Sequence, residues 1–517
     1  MNASIHLQIE RLLQYGLQKK LITKWDTDFT RNSIYDVLQI NEYEKVEAEE
    51  ETLDSPAEIL ENILDWAAEN NYLKENTVTY QDLLDTKIMG CFAAKPSEII
   101  RDFYSRYKET GPASATEAFY QFSQDVHYIR NDRIAKNENW FTHTEYGDLE
   151  ITINLSKPEK DPKAIEAAKT LNNNSYPECL LCKENVGYAG RVNHPARQNL
   201  RVIPLELTNE QWFLQFSPYV YYNEHAIVFK GEHDPMKISK KTFERLLEFV
   251  EMFPHYFLGS NADLPIVGGS ILSHDHFQGG YHDFPMAHAE VEKEFPLPHL
   301  FKNVTAGIVK WPMSVVRLRS HNHQELAEAA NHIFKSWRAY TDESAGIRAF
   351  TDDIPHNTIT PIARGNGNLF ELDLVLRNNR TSNEHPLGIF HPHQEVHHIK
   401  KENIGLIEVM GLAVLPGRLY EELRQLSKCL TKSNYIDAIE GNNEIVKHLD
   451  WAQSLKRKYV NFTEVNGLEI LKEEVGRTFL KILEHAGVFK RDEQGKMAFI
   501  KFIQTLNKES SHLSQLT

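Results

Sequence analysis

The change of period near residue 147 constrains this chain more than any other feature. Before it, apolar residues recur at helical spacing. In DSPAEILENILDWAAEN, Ile59, Ile63 and Ala67 fall at i, i+4 and i+8, one face of an amphipathic helix. Ser55, Pro56 and Glu58 read there as an N-cap, a first-turn proline and the partner of a capping box. KPSEIIRDFYSRY repeats the pattern with Ser97 as cap behind Pro96, and ATEAFYQFSQDVHYI is a further helix. At DLEITINL the spacing becomes two, with Leu149, Ile151, Ile153 and Leu155 on one side of an extended chain.

From there strands alternate with turns and single helices. NLRVIPLEL, HAIVFKGEH and PIVGGSILSH read as strands around the helix KTFERLLEFVEMF. A second such region carries GIVKWPMSVVRL, NLFELDLVLR and the helix QELAEAANHIFKSWRAY. After about 430, NYIDAIEGNNEIVKHL and GLEILKEEVGRTFLKILEHAG return to helix. The expected class is α+β: a helical region over 1–145, α+β units over 146–300 and 301–430, and a helical region over 431–517. With 517 residues the chain is too long for one ordinary core.

Composition narrows the function. A net charge of -16 excludes a broad nucleic-acid surface, which needs a basic stripe. It leaves room for a nucleotide ligand, which needs only a local site. The charged residues among the apolar positions of MNASIHLQIERLLQYGLQKK argue against a signal peptide. No apolar run approaches the ~18 residues of a membrane helix. Four cysteines in such a length make no disulfide framework, so a soluble cytoplasmic protein is expected.

Four stretches could carry chemistry. In GGSILSHDHFQGG, His274, His276 and Gln278 project to one face if the segment is a strand. Its glycines let a phosphate or a neighbouring strand approach the backbone. A neutral imidazole is a good nucleophile toward phosphorus. A metal site and an ordinary polar loop remain open readings. In YPECLLCKENVGYAGR, Cys179 and Cys182 could hold a metal, act as a redox pair, or be two small buried side chains. In YYNEHAIVFKGEHD, His225 and His233 bracket a strand. GIFHPHQEVHHIK packs His391, His393, His397 and His398 together, while PHNTITPIARGNGN supplies Asn357, Thr358, Thr360 and Arg364, suited to sugar hydroxyls and a phosphate.

Taken whole, DLPIVGGSILSHDHFQGG closely resembles the signature of the class II galactose-1-phosphate uridylyltransferases of bacteria. LEITINLSKPEKDP, YPECLLCKENVGYAGR, SPYVYYNEH, PHNTITPIAR and GLAVLPGRL look like that family as well. The resemblance runs over about residues 20 to 440. It implies two histidine-triad-like units. It also implies transfer of UMP from UDP-glucose to galactose 1-phosphate, in galactose metabolism, by a ping-pong route through a uridylylated histidine. His276 would be the nucleophile, and Gln278 would hold the phosphoryl oxygens. A hydrolase of the superfamily carries a third His at that position. Gln donates a hydrogen bond but supplies no acid, which suffices when the leaving group is a hexose phosphate. Backbone N–H groups around Gly268, Gly269 and Gly279 are candidate phosphate contacts, and the resemblance implies Asn261 and either Ser270 or Ser273 as well.

The resemblance also implies a structural Zn2+ held by Cys179, Cys182, His233 and His274, and a second metal held by Glu290 or Glu292 with His391 and His393. Asp275 departs from the class I pattern, which has Pro between the two histidines. Small-molecule substrates are the expected partners, without nucleic acid or membrane, and a homodimer is allowed. The alternative is another sugar-1-phosphate nucleotidyltransferase or dinucleotide phosphorylase of the same superfamily.

Overall fold

The computed structural model describes residues 4–156, 176–269 and 271–507. Helices and antiparallel sheets mix along the chain in an α+β fold. Two compact units emerge, neither contiguous in sequence. The first comprises Met1–Lys136, Ser156–Asp234 and His274–His276, the second Asn137–Leu155, Pro235–Ser273 and Phe277–Thr517.

The first unit opens with the expected helices. Ile5–Gln18, Thr27–Leu38, Ala57–Glu69 and Val78–Gly90 enclose a core of Ile9, Leu12, Ile34, Leu38, Ile59, Ile63, Ile88 and Phe92. Two helix starts differ from the reading above. Ala57–Glu69 begins behind Pro56 with no side-chain cap at the N-cap position, and Ser55 Oγ accepts from the Ala57 amide. In Pro96–Thr110 the proline takes the first helical position, so Ser97 lies inside the helix and the Glu98 carboxylate accepts from the Lys95 amide. At Pro96 the proline's fixed φ suits the first turn.

Three antiparallel strands follow, Ile203–Leu207, Glu210–Phe216 and Ala226–Lys230. Thr208 and Asn209, both at positive φ, make the two-residue turn of the first hairpin, the turn whose twist matches paired strands.

In the second unit, DLEITINL forms the strand Gly147–Asn154. It pairs antiparallel with Glu138–Thr144 and parallel with Leu412–Pro416. Leu149, Ile151 and Ile153 are buried as the alternation requires, and Leu155 lies beyond the strand. Helix Gly467–Ala486 packs on this sheet; a Cβ at Gly476 would meet Thr142 Oγ1 at 2.0 Å. The larger sheet of this unit runs, in spatial order, through 277–280 of the strand His276–Gly280, then Phe257–Gly259, Asn357–Asn366, Leu369–Asn378, Val315–Ser320, Thr305–Val309 and Val291–Phe295. Every pairing among these strands is antiparallel. Helix His323–Arg338 lays Leu326, Ala330, Ile333 and Trp337 into its core.

GIVKWPMSVVRL is two strands, broken around the buried Trp311. NYIDAIEGNNEIVKHL gives a short helix, Tyr435–Glu440, that stops at Gly441. No helix among the described residues is long and apolar enough to cross a membrane.

Candidate active site and metal centre

The described residues of PIVGGSILSH do not form the strand its composition suggests. Gly268 makes an isolated bridge to Ala262 instead. A Cβ there would stand 2.6 Å from the carbonyl oxygens of both Ala262 and Leu264, and one at Gly269 would meet Asn261 Nδ2 at 2.9 Å. The backbone is therefore drawn tight around Asn261, whose Oδ1 accepts from the Leu406 amide at 2.9 Å. Ser270 lies outside the described residues.

The strand begins at His276, not before. His276 and Gln278 thus share a strand face, while His274 precedes the strand and turns elsewhere. Its Nδ1 lies 3.2 Å from Cys179 Sγ and 3.8 Å from Cys182 Sγ. His233 Nδ1 lies 3.2 Å from Cys182 Sγ, and the two sulfurs are 3.5 Å apart. A tetrahedral ion with bonds of about 2.0–2.3 Å puts its ligands roughly 3.3–3.8 Å from one another. These four side chains, all in the first unit, are therefore spaced to hold a metal ion.

What surrounds the four ligands orders them. His274 Nε2 donates to the Lys230 carbonyl at 2.8 Å, which leaves the Nδ1 lone pair facing the sulfurs. Asn185 Nδ2 donates to the carbonyls of both Cys179 and Cys182 at 2.8 Å, and its Oδ1 accepts from His194 Nε2 at 2.7 Å. The amide of Leu181 points at Cys179 Sγ from 3.3 Å. Burial pushes the Cys182 thiol up to about 12, with the Cys179 thiol adding to the shift and the Cys179 amide opposing it; a bound cation would favour the Cys182 thiolate.

The backbone of Asp275 donates to the Asp234 carbonyl at 2.7 Å, and its own carbonyl accepts from Lys230 at 3.0 Å. A proline at 275 has no N–H for the first of these bonds, which explains why this chain tolerates Asp between the two histidines.

His276 is buried. Its Nδ1 donates to the His274 carbonyl at 2.8 Å, so in the neutral ring Nε2 carries the lone pair. Burial, and after it the neighbouring His274, pushes its pKa down to about 4, against the raising effect of that hydrogen bond. Gln278 Oε1 is buried with no hydrogen-bond partner among the described residues.

Several of the other candidates are committed to the protein itself. Asn357 donates to the carbonyls of Trp337 and Tyr340 and accepts from Asn378 Nδ2. Thr358 Oγ1 donates to Asp263 at 2.5 Å. Arg364 pairs with Glu371 at 2.6 Å and with Asp373. Glu292 is held by Arg491 through two bonds of 2.8 and 2.7 Å. His391 Nε2 meets Asn403 Oδ1 at 3.2 Å.

Sequence reasoning missed Asn185, His194 and the Lys230 carbonyl. Asn185, three residues past Cys182, was the one with a local signal, since Asn favours such turns.

Two family models match the chain. They are the N-terminal domain of galactose-1-phosphate uridyl transferase over residues 21–235 and its C-terminal domain over residues 248–453. A galactose-1-phosphate uridylyltransferase of Halalkalibacterium halodurans is 66% identical over 506 residues, covering 98% of this chain and 99% of that one. One from Bacillus subtilis is 59% identical over 504 residues, covering 97% and 98%. Among solved structures, yeast Ap4A phosphorylase Apa2 aligns at 12% identity with a TM-score of 0.30, over 63% of this chain and 89% of that one, a likeness too small to bear on fold or function.

Proposed function

Because the chain belongs to the galactose-1-phosphate uridylyltransferase family, we propose that it moves UMP by way of His276. The activity is transfer of the uridylyl group from UDP-glucose to galactose 1-phosphate, giving glucose 1-phosphate and UDP-galactose, a step of galactose metabolism. The observation that carries the proposed mechanism is the bond from His276 Nδ1 to the His274 carbonyl. It leaves the nucleophilic lone pair on Nε2.

Nε2 attacks the α-phosphorus of UDP-glucose. The bond from that phosphorus to the glucose 1-phosphate oxygen breaks, and glucose 1-phosphate leaves as an anion that needs no proton. The ring becomes a uridylylated imidazolium whose Nδ1–H stays on the His274 carbonyl. An oxygen of galactose 1-phosphate then attacks the same phosphorus and expels the neutral ring. Gln278, its amide carrying the buried oxygen without a partner, turns its N–H toward the phosphoryl oxygens. Asn261 and the backbone at Gly268 and Gly269 are proposed as further phosphate contacts. Preorganised donors of this kind act on charge that develops during transfer.

Cys179, Cys182, His233 and His274 are the proposed ligands of Zn2+, supported by two thiols with two imidazoles and by the tetrahedral spacing. Bound there, the ion is structural and fixes the segment that presents His276. Four free cysteines support a reducing, cytoplasmic setting.

The test is intact-protein mass after mixing with UDP-glucose alone. One added uridylyl group, removed by galactose 1-phosphate and absent from His276→Ala, is expected. Product formed from both substrates with no adduct would replace this route with direct transfer.

A further inference from the structure

Outside the cysteine centre, the described residues bring metal-ligating side chains together in one other place. His393, Glu395 and His485 present ligand atoms within 4.8 Å of one another. All three belong to the second unit. His393 and Glu395 come from the short 3-10 turn at Gln394–Val396 and its N-cap, and His485 from the last turn of helix Gly467–Ala486.

This is not the set expected from the sequence. Glu292 is spent on Arg491, His391 is turned to Asn403, and among the described residues His393 is grouped with Glu395 and His485.

The hydrogen bonds assign the nitrogens. His393 Nε2 donates to the Ile389 carbonyl at 3.0 Å, which leaves its Nδ1 with a lone pair. His485 Nδ1 takes only a long 3.3 Å contact from the His393 amide, and its Nε2 lies 3.4 Å from Glu395 Oε1. His385 stacks on the other face of His393, with ring centres 4.0 Å apart, and His393 stacks on His485 at 4.1 Å, both at 18°. Three imidazoles and a carboxylate are thus gathered where Glu395, half-exposed at 50%, meets solvent.

We propose that His393 Nδ1, His485 Nε2 and the Glu395 carboxylate form a second binding site for a divalent transition-metal ion, with His385 as a further imidazole at hand. Imidazole with carboxylate suits zinc, nickel, cobalt or ferrous iron. Two parallel rings do not aim their lone pairs at one point, so binding turns one ring out of the stack. His485 is that ring, because its Nδ1 contact is the long one. Turning it releases the contact, moves its proton to Nδ1 and frees Nε2 for the ion. The Lys481 ammonium, 3.2 Å from Glu395 and half-exposed, swings into solvent. The bound ion clips the HPHQEV loop to the C-terminal helix.

The test is metal content of the full chain loaded with Co2+, by mass spectrometry and visible absorption. Wild type should hold two ions, one with a thiolate charge-transfer band and one without. Glu395→Gln and His485→Ala should each lose the ion without that band and weaken its binding at least tenfold, while Cys179→Ser loses the other. Glu395 is exposed, so its variant keeps the fold and the comparison stands if a cysteine variant does not. Two results would overturn the site. One is a wild type with a single ion that Cys179→Ser removes, which reduces the cluster to an ion-pair network. The other is two ions indifferent to both Glu395→Gln and His485→Ala.

Discussion

Two histidine-rich stretches of this chain look alike on paper and are built differently. At 274–276 each hydrogen-bonded ring nitrogen has one task. His274 gives one nitrogen to a carbonyl and aims the other at two sulfurs, and His276 gives one to a carbonyl and, in the proposed mechanism, keeps the other for chemistry. At 385–398 His393 and His397 also give one nitrogen to a carbonyl, but the rings lean on one another as well, stacked about His393 or set edge to face at His398 and His448. The difference teaches that a spacing such as His-x-His says little until the partner of the second nitrogen is known. A carbonyl fixes the tautomer and so the role; another ring fixes neither.

The comparison breaks most visibly at activity. Replacing His276 by Ala should lower uridylyl transfer by on the order of 10⁴-fold or more, as loss of a covalent nucleophile does. His393→Ala should stay within a few-fold of wild type. Equal losses in steady-state assays would erase the distinction drawn between the two stretches.

Stability separates them next. Cys179→Ser removes a ligand from a centre that also ties His274 and hence the start of its strand. A loss above about 3 kcal/mol is expected in denaturant unfolding, with the bound ion gone. Unchanged metal content after this substitution would take the ligand set with it.

Much of this was legible beforehand, for a physical reason. Helical and two-residue periods report which face of a segment is buried, and Leu149, Ile151, Ile153, Ile59 and Ile63 are all buried where their spacing put them. Cys179, Cys182, His233 and His274 converge although 95 residues separate the first from the last; the Cys-x-x-Cys pair stands out by itself, but among 24 histidines only the family resemblance singles out His233 and His274. Long-range pairing was not legible. Nothing local shows that Arg364 meets Glu371 and Asp373 across a hairpin, so its guanidinium read as free for a phosphate. Nothing near HPH points to His485, 92 residues on. Gly268 and Gly269 fold against Asn261, which the apolar composition around Val267 disguised.

The bracket around the cysteines offers a finer test. Asn185 holds both cysteine carbonyls with one amide nitrogen, and Ala at 185 leaves those carbonyls without it while removing no metal ligand. Metal affinity should fall about 10–100-fold, the usual effect of losing such a supporting bond, with the fold retained. Competition with a chromophoric chelator measures it. Affinity equal to wild type would mean that the sulfurs are positioned by chain geometry alone.

The smallest effect concerns protons at the second stretch. His398 is pushed down to about 4, first by burial and then by the nearby His448. Trp451 packs on its ring at 5.2 Å, Arg418 donates to its carbonyl, and Glu422 accepts from His448. The unfolded chain holds this imidazole at its ordinary value near 6.5. Between these two values the unfolded state binds more protons than the folded one, so acid favours unfolding. The stability is complete above about pH 6.5 and is lost as pH falls toward 4. His398→Gln removes this dependence. Between about pH 7 and pH 5 the variant should gain roughly 1–2 kcal/mol relative to wild type, read as converging melting temperatures. Parallel curves across that range would mean that His398 is not held neutral by its neighbours. The loop of stacked and edge-packed rings would then be no more sensitive to acid than the strand that carries His276.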